Sequence, residues 1–96
     1  MFDLPVETKA ERKAYTKFVK FLSGEGFVMF QKSIYVKLSI NEASVNLLEK
    51  TVRNNLPKDG TISMLTITEK QFNEISVLLG EFTSDVIMTT DRVLDL

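Results

Sequence analysis

The sequence predicts an α+β fold in which two helices cover one face of a small sheet. Two stretches carry apolar residues at helical spacing, and each follows a residue that can cap a helix. Short stretches rich in β-branched and aromatic residues lie before, between and after them. The resulting order is strand, helix, strand, strand, helix, strand. This is the βαββαβ order of a ferredoxin-like sandwich.

The first elements are a short strand and a helix. "MFDL" is apolar apart from Asp3 and stops at Pro5, as expected for the end of a strand. Thr8 and Glu11 form a capping box, which predicts a helix that begins one or two residues after Thr8 and ends at Gly24. Its buried stripe recurs at helical spacing and consists of Tyr15, Phe18, Val19 and Leu22.

The middle of the chain predicts a hairpin and a second helix. "FVMF" and "IYVKLSI" are strand-like and are separated by residues 31–33, although no Asn-Gly or Asp-Gly turn lies between them. Asn41 is placed to cap the second helix, "PKDG" predicts a turn and "TISMLTIT" predicts a strand. The apolar stripe of this helix consists of Val45, Leu48, Val52 and Leu56.

The segment after residue 67 permits two interpretations. Thr68 and Gln71 form another capping box, and the periodicity up to Gly80 slightly favours a helix. One helical turn followed by a strand at residues 75–79 fits the same residues. "VIMTT" and "RVLDL" predict further short strands, with no signal for their pairing. We expect a single domain over residues 1–96, with residues 75–96 as a C-terminal strand and tail region.

The predicted sheet is apolar on both faces. Ile34, Val36, Leu38 and Ile40 lie on one side of their strand and Tyr35 on the other, and residues 62–67 show the same pattern. Since both helices of this fold cover one face, the open face needs a second cover. We therefore expect a homodimer that packs through the open sheet faces.

The composition excludes several kinds of chemistry. The chain has no cysteine and no histidine, which excludes disulfides, thiolate zinc sites and imidazole catalysis. Any chemistry would use carboxylates, hydroxyls or lysines, together with a hard metal ion. No apolar run reaches the length of a membrane span and no signal peptide precedes the first strand, so we expect a cytoplasmic protein without membrane contact.

The net charge of −1 conceals an uneven distribution. Residues 9–37 contain seven basic residues against two acidic ones, a local charge of +5. Residues 69–96 contain two basic residues against six acidic ones, a local charge of −4. A basic front and an acidic tail suit two different partners, although two solvated faces explain the same asymmetry.

Two features are candidates for function. Asp3 is the only acidic residue inside an apolar strand, where its carboxylate suits Mg²⁺ or Mn²⁺; alternatively, it forms the turn ahead of Pro5. Opposite the apolar side of the first helix lies a basic stripe, which suits nucleic-acid phosphates or is a solvated helix face. This stripe consists of Lys9, Arg12, Lys13, Lys17 and Lys20. We expect both features to serve one nucleic-acid ligand.

Ser33 and Tyr35 are candidates for hydroxyl groups near Asp3. For Tyr35 the better interpretation is a ring that packs at the dimer interface. The sequence contains no base-reading motif, and it contains neither a glycine-rich phosphate loop nor a cluster of polar pocket residues, which disfavours a small ligand-binding regulator.

The stretch "MFDLPVETKAERKAYTKFVKFLSGEGFVMFQKSIYVKL", together with "LTITEKQF", resembles the small CRISPR-associated protein Cas-two, in the form found in type II systems. The resemblance covers most of residues 1–80. It depends on an Asp that closes the first strand, the Glu-Arg-Lys opening of the helix, "GF" before the hairpin and "TEKQF" near the end. Only two residues precede Asp3, fewer than in the first strand of that family.

The resemblance implies a role in prokaryotic antiviral defence. Such proteins form homodimers of ferredoxin-like folds, and two dimers of the integrase Cas-one flank one such dimer to insert new spacers into CRISPR arrays. The resemblance also implies one turn of helix followed by a strand at residues 75–79 that reaches the partner subunit or the integrase. Some members are metal-dependent endonucleases that use the strand-end Asp, which is Asp3 in this sequence.

We therefore predict a scaffold subunit that binds double-stranded DNA, the prespacer and the CRISPR repeat, without sequence specificity. The alternative is a weak Mg²⁺- or Mn²⁺-dependent endonuclease acting on RNA or DNA through Asp3. In that alternative two copies of Asp3 meet near the two-fold axis of the dimer and share the ion, which relieves their mutual repulsion.

Overall fold

The computed structural model describes residues 1–80 and shows a mixed α+β fold. The α+β class is thereby confirmed. Three helices and four strands lie in these residues, in the order β1 Phe2–Asp3, α1 Lys9–Gly24, β2 Val28–Gln31, β3 Ile34–Val36, α2 Glu42–Arg53, β4 Thr61–Ile62 and α3 Glu69–Asn73. None of these helices combines the length and the apolar character that a membrane span requires.

The strands form two antiparallel pairs. In the first pair β1 lies beside β4, with Phe2 opposite Ile62 and Asp3 opposite Thr61. In the second pair β2 and β3 form the predicted hairpin, with a bulge between Met29 and Gln31. The Phe2 N–H donates to the Ser33 carbonyl at 3.0 Å, which brings β1 against the start of β3.

Two strands are shorter than their sequence pattern predicts. "TISMLTIT" forms a strand only at residues 61–62, and "IYVKLSI" only at residues 34–36. A pairing between two strands can be no longer than the shorter strand. β4 is short because its partner β1 has two residues, and β3 is short because its pairing with β2 ends where Val28 lies opposite Val36.

Helix α1 begins and ends where predicted and supplies one side of the core. Thr8 Oγ1 accepts from the Glu11 N–H at 3.1 Å, and the Glu11 carboxylate accepts from the Thr8 N–H at 2.8 Å. The core is a cluster of four buried residues, Phe2, Leu4, Phe18 and Leu22, with Tyr15 and Val19 packed against it. This packing confirms the predicted apolar stripe of the helix.

Helices α2 and α3 also begin at their predicted caps. Asn41 Oδ1 accepts from the Ser44 N–H at 2.8 Å, and the second capping box at Thr68 opens α3. Val52 is buried, but Leu56 lies beyond the end of α2 and is half exposed, so it is not part of the helical stripe. The end of α2 at Arg53 explains this difference.

Helix α3 is a short helix, as the resemblance implies, and not a helix that continues to Gly80. The Phe72 ring packs against Phe30 of β2, with ring centroids 5.5 Å apart, and so fixes α3 on the hairpin. Residues 75–79 form no strand with other described residues. A strand formed with a partner chain there stays a prediction, and the tail strands "VIMTT" and "RVLDL" lie outside the described residues.

Candidate nucleic-acid interface and strand-end carboxylate

Asp3 lies at the end of β1 on the face of the strand pair that turns away from α1. Its neighbours Phe2 and Leu4 are buried in the core beneath α1, whereas Asp3 is exposed. Successive side chains of a strand point to opposite faces. The carboxylate is therefore accessible, as a metal-binding group must be.

The backbone of Asp3 is held in place by the turn that precedes β4. Gly60 has a φ of +102°, and a Cβ at this position would lie 2.7 Å from the Asp3 carbonyl oxygen and 2.5 Å from Leu4 Cδ2. Only glycine allows this approach in this backbone conformation. The turn "PKDG" therefore supports the strand end that carries Asp3.

A single chain offers Asp3 little help in binding a metal ion. Among residues 1–80, no group of three or more His, Cys, Asp or Glu side chains is arranged to hold an ion. Mg²⁺ is commonly bound by one or two carboxylates, with water and substrate phosphates as the other ligands. One Asp3, or two copies in a dimer, fits only this sparse mode of binding.

Four lysines of the basic stripe are exposed on the outer side of α1: Lys9, Lys13, Lys17 and Lys20. The ammonium groups of these four lysines make no hydrogen bond and no ion pair with any residue in the range 1–80. The opposite side of the helix carries the buried Phe18 and Leu22. The four ammonium groups therefore face away from the sheet.

Arg12 differs from these lysines because its guanidinium turns toward the preceding loop. Nη1 of Arg12 donates to the carbonyl oxygens of Val6 at 3.2 Å and Glu7 at 2.7 Å. From the next residue back in α1, Glu11 Oε1 accepts from the N–H groups of Glu7 at 3.0 Å and Thr8 at 2.8 Å. Two side chains from the first turn of α1 therefore bind the backbone of this loop: Glu11 accepts from its N–H groups, and Arg12 donates to its carbonyl groups.

The structure does not bring Asp3 and the lysines together. Phe2 and Leu4 direct one face of β1 toward α1, and Asp3 lies on the other face. The lysines lie on the side of α1 that turns away from β1. Asp3 and the four lysines therefore occupy opposite sides of the β1–α1 layer, which differs from the expectation that Asp3 and the stripe serve one ligand.

Tyr35 also lies apart from Asp3. Its ring stacks on Phe2 with centroids 5.7 Å apart, on the α1 side of the strands. Burial, with a smaller contribution from Tyr15, raises the pKa of Tyr35 above its ordinary value near 10. Ser33 uses its carbonyl to accept from Phe2 and has a φ of +66°, so its observed contact with β1 is through the backbone.

Sequence reasoning missed two supporting residues. The Asp59-Gly60 pair is typical of a turn with a positive φ at the glycine. The contact of Gly60 with Asp3 is not readable from the sequence, because the two positions are 57 residues apart. The hydrogen bonds from Arg12 to the Val6 and Glu7 carbonyl groups have no signal in the sequence, because an arginine at this position was already explained as part of the basic stripe. Of the acidic residues near the C-terminus, Glu69 and Glu74 are exposed, and those after residue 80 lie outside the described residues.

The family comparison identifies the chain at the level of a family. The family model described as CRISPR associated protein Cas2, the Cas-two family named above, matches residues 1–75. The chain belongs to the Cas2 family. The match runs from β1 to the end of α3, so Asp3 and the whole basic stripe lie within the Cas2 region.

Curated relatives agree with the Cas2 assignment over nearly the whole chain. The chain is 44% identical over 94 residues to the "CRISPR-associated endoribonuclease Cas2" of Ligilactobacillus salivarius (strain UCC118), which covers 98% of this chain and 93% of that protein. Proteins with the same name are 44% identical in Streptococcus mutans serotype c (strain NN2025), covering 97% of this chain and 87% of the relative. In Treponema denticola (strain ATCC 35405) the identity is 38%, over 96% of this chain and 91% of the relative.

Proposed function

We propose that this Cas2-family chain is a DNA-binding scaffold subunit of a CRISPR spacer-acquisition integrase. In this proposal its partners are a second copy of itself, the integrase Cas-one, and double-stranded DNA as prespacer and CRISPR repeat. The observation that carries the proposal is the position of the four stripe lysines and Asp3 on opposite sides of the β1–α1 layer.

The stripe has the charge and the length of a surface that binds a nucleic-acid backbone. Lys9 and Lys20 are eleven residues apart, a distance of about 16 Å along a helix. On one strand of a duplex, at ~3.4 Å per phosphate, this length corresponds to about five phosphates. Lysines bind phosphates as point charges and carry no base specificity, which suits a protein that accepts many DNA sequences.

The separation of the two features favours binding without cleavage. A duplex lying on the outer side of α1 is separated from Asp3 of the same chain by a helix about 10 Å wide and by the strands beneath it. Binding at the stripe therefore does not deliver a phosphodiester to the carboxylate. This arrangement supports a scaffold better than a nuclease that uses the stripe to hold its substrate.

The dimer of the proposal is a pair of ferredoxin-like domains. The Phe2–Ser33 hydrogen bond supports the strand order β4, β1, β3, β2 of that fold. Because Tyr35 lies on the α1 side, Ile34 and Val36 point to the other face, and Leu38 and Ile40 beyond them are 49% and 89% exposed. A second copy is the cover that we propose for this face.

Residues 75–96 form the proposed contact region for the second copy or the integrase. Leu78 and Leu79 are 90% and 97% exposed at the end of the described residues. Adjacent exposed leucines on a small protein favour a contact with another chain. The acidic residues of the tail suit a basic surface of the integrase better than DNA.

The second candidate function is a metal-dependent endonuclease. The relatives are themselves named endoribonucleases. In this alternative Asp3 binds Mg²⁺ or Mn²⁺, shared between two copies at the dimer axis. The ion would supply Lewis-acid chemistry at a phosphate, and Asp3 would hold it through one carboxylate from each chain. We expect such activity to be weak, because hydrolysis usually needs several carboxylates and residues 1–80 supply only Asp3 in that setting.

One experiment separates the two functions. Cleavage of RNA and DNA with Mg²⁺ is measured beside duplex binding, with and without the integrase subunit, for the wild type and for Asp3→Asn. We expect Asp3→Asn to abolish any Mg²⁺-stimulated cleavage and to leave duplex binding and spacer integration largely intact. Loss of integration by a folded, dimeric Asp3→Asn protein would contradict the scaffold proposal.

A further inference from the structure

We infer that Arg12 is a preoriented phosphate anchor at the head of the basic stripe. The carbonyl groups of Val6 and Glu7 hold one end of its guanidinium, and the free edge binds one phosphate of the DNA backbone. This inference rests on the proposed function, and it assigns to Arg12 a role that the four lysines do not share.

The hydrogen bonds of Arg12 leave one edge of the guanidinium for a ligand. Nη1 carries two N–H groups, and it has two acceptors, the Val6 and Glu7 carbonyl oxygens. Nε and Nη2 donate to no atom of residues 1–80. These two nitrogens form the side edge of the planar fork, whose geometry matches two oxygens of one phosphate.

The loop that orients Arg12 is itself held from the other side. The Glu7 N–H and the Thr8 N–H both donate to Glu11 Oε1, and Thr8 closes the capping box with the Glu11 N–H. The carboxylate of Glu11 is therefore already engaged with the loop backbone. A guanidinium attached to such a fixed segment loses little side-chain freedom when it binds a phosphate.

The lysines of the stripe lack this arrangement. Lys9 lies one helical turn before Arg12 on the same side of α1, yet it makes no contact that orients its ammonium group within residues 1–80. Lysine binds a phosphate as a flexible point charge. Arg12 should therefore contribute more affinity than any single lysine, and lysine should not replace it.

The binding test compares Arg12→Lys and Arg12→Ala with the control variants Lys58→Arg and Lys58→Ala on one short duplex of arbitrary sequence. We expect Arg12→Lys to weaken binding about tenfold, although the charge is kept, because a bidentate charged hydrogen bond is lost. Lys58→Arg, at an exposed position outside the stripe, should bind as the wild type does. Arg12→Ala should in addition lower the salt slope of binding by ~0.9, the value for one lost phosphate contact.

A second measurement follows Arg12 itself in the wild-type protein. The chain has three arginines, Arg12, Arg53 and Arg92, so an arginine-labelled sample gives a small set of Nε–H resonances that single substitutions can assign. We expect the Arg12 Nε–H resonance to shift when the short duplex is added at low salt. Arg53, which pairs with Glu49 at 3.9 Å, is the internal control and should not shift.

The outcomes distinguish this inference from the proposed function. Wild-type binding by Arg12→Lys, or an Arg12 Nε–H resonance that ignores the duplex, would overturn the anchor. If the triple variant Lys13→Ala, Lys17→Ala, Lys20→Ala loses binding while the Arg12 variants do not, only the anchor fails. If that triple variant also binds as the wild type does, the proposed DNA surface itself fails.

Discussion

Gly60 lies so close to Asp3 that a Cβ at Gly60 would stand 2.7 Å from the Asp3 carbonyl oxygen. The turn "PKDG" thereby supports the end of β1 from across the strand pair. The position of the candidate carboxylate depends on a glycine 57 residues away, because β4 begins directly after this turn and pairs with β1. This contact leads to the first prediction.

Gly60→Ala should destabilise the domain and displace the end of β1. The new methyl group would clash with Asp3 and Leu4, and the residue would keep a φ that alanine rarely adopts, so we expect a loss of about 1–3 kcal/mol in the free energy of unfolding. Urea denaturation measures the loss. Gly24→Ala is the matched control: it meets nothing within 4 Å at the end of α1, and it should be neutral or stabilising. Equal stability of the two variants would contradict the Gly60 contact.

Tyr35 should make the stability of the fold sensitive to alkaline pH. Its pKa is raised by burial and by Tyr15, so the folded state favours the neutral phenol more than the unfolded state does. The sign follows: the contribution is fully present below pH ~10, the unfolded pKa, and is lost as the pH rises through the higher folded pKa.

The measurement uses the fact that the chain has two tyrosines and no tryptophan. In Tyr15→Phe, the tyrosinate absorbance reports Tyr35 alone, and its midpoint should lie above the ordinary value for tyrosine. Tyr35→Phe should lose less stability than the wild type between neutral and strongly alkaline pH. An identical alkaline loss in both proteins would refute the assignment.

The lysines of α1 should determine the salt dependence of DNA binding. We expect the triple variant Lys13→Ala, Lys17→Ala, Lys20→Ala to lower the salt slope by about 3 for each chain that contacts the duplex. It should weaken binding to duplexes of unrelated sequence by equal factors. The matched control has the same change of charge elsewhere on the exposed surface: Lys32→Ala, Lys50→Ala and Lys58→Ala. A salt titration in which both triple variants behave alike would show that net charge, and not the stripe, binds DNA.

The protein should be a dimer at micromolar concentration, because Ile34 and Val36 lie on the face opposite Tyr35 and α1, and Leu38 and Ile40 beyond them are exposed. Ile40→Asp should weaken the dimer, since it places a charge beside that face. Leu47→Asp is the control, on the exposed side of α2 with 67% of Leu47 accessible. Light scattering or sedimentation distinguishes the two, and a stable wild-type monomer would remove the basis for a shared metal site.

The acidic tail should serve the integrase and not the DNA. Changing Glu81, Asp85 and Asp91 to neutral residues should leave duplex binding by the dimer intact, because carboxylates repel phosphates. The same changes should loosen the integrase subunit in a pull-down. If the acidic variant lost duplex binding but still retained the integrase subunit, this division of roles between the basic stripe and the tail would be refuted.

Local chemistry in the sequence was sufficient for the helices and the hairpin. The capping boxes at Thr8 and Thr68 and the asparagine cap at Asn41 place three helix starts correctly, because each cap satisfies backbone groups within a few residues of itself. The stripe of Phe18 and Leu22 likewise identified the buried side of α1, and with it the exposed lysines. The Cas2 resemblance, based on the order of these local elements, is confirmed.

Strand lengths and the faces on which side chains lie depend on residues far away in the sequence, so only the tertiary structure decided them. β4 is short because its ladder partner β1 is short, and neither length is readable from the residues of β4 alone. Packing of Phe2 on Phe18 turned Asp3 to the face opposite the lysines, and stacking on Phe2 took Tyr35 away from Asp3. The sequence by itself determined which residues are basic, acidic or helical. Only packing, which joins residues far apart in the chain, decided that the carboxylate and the lysines of α1 lie on opposite sides.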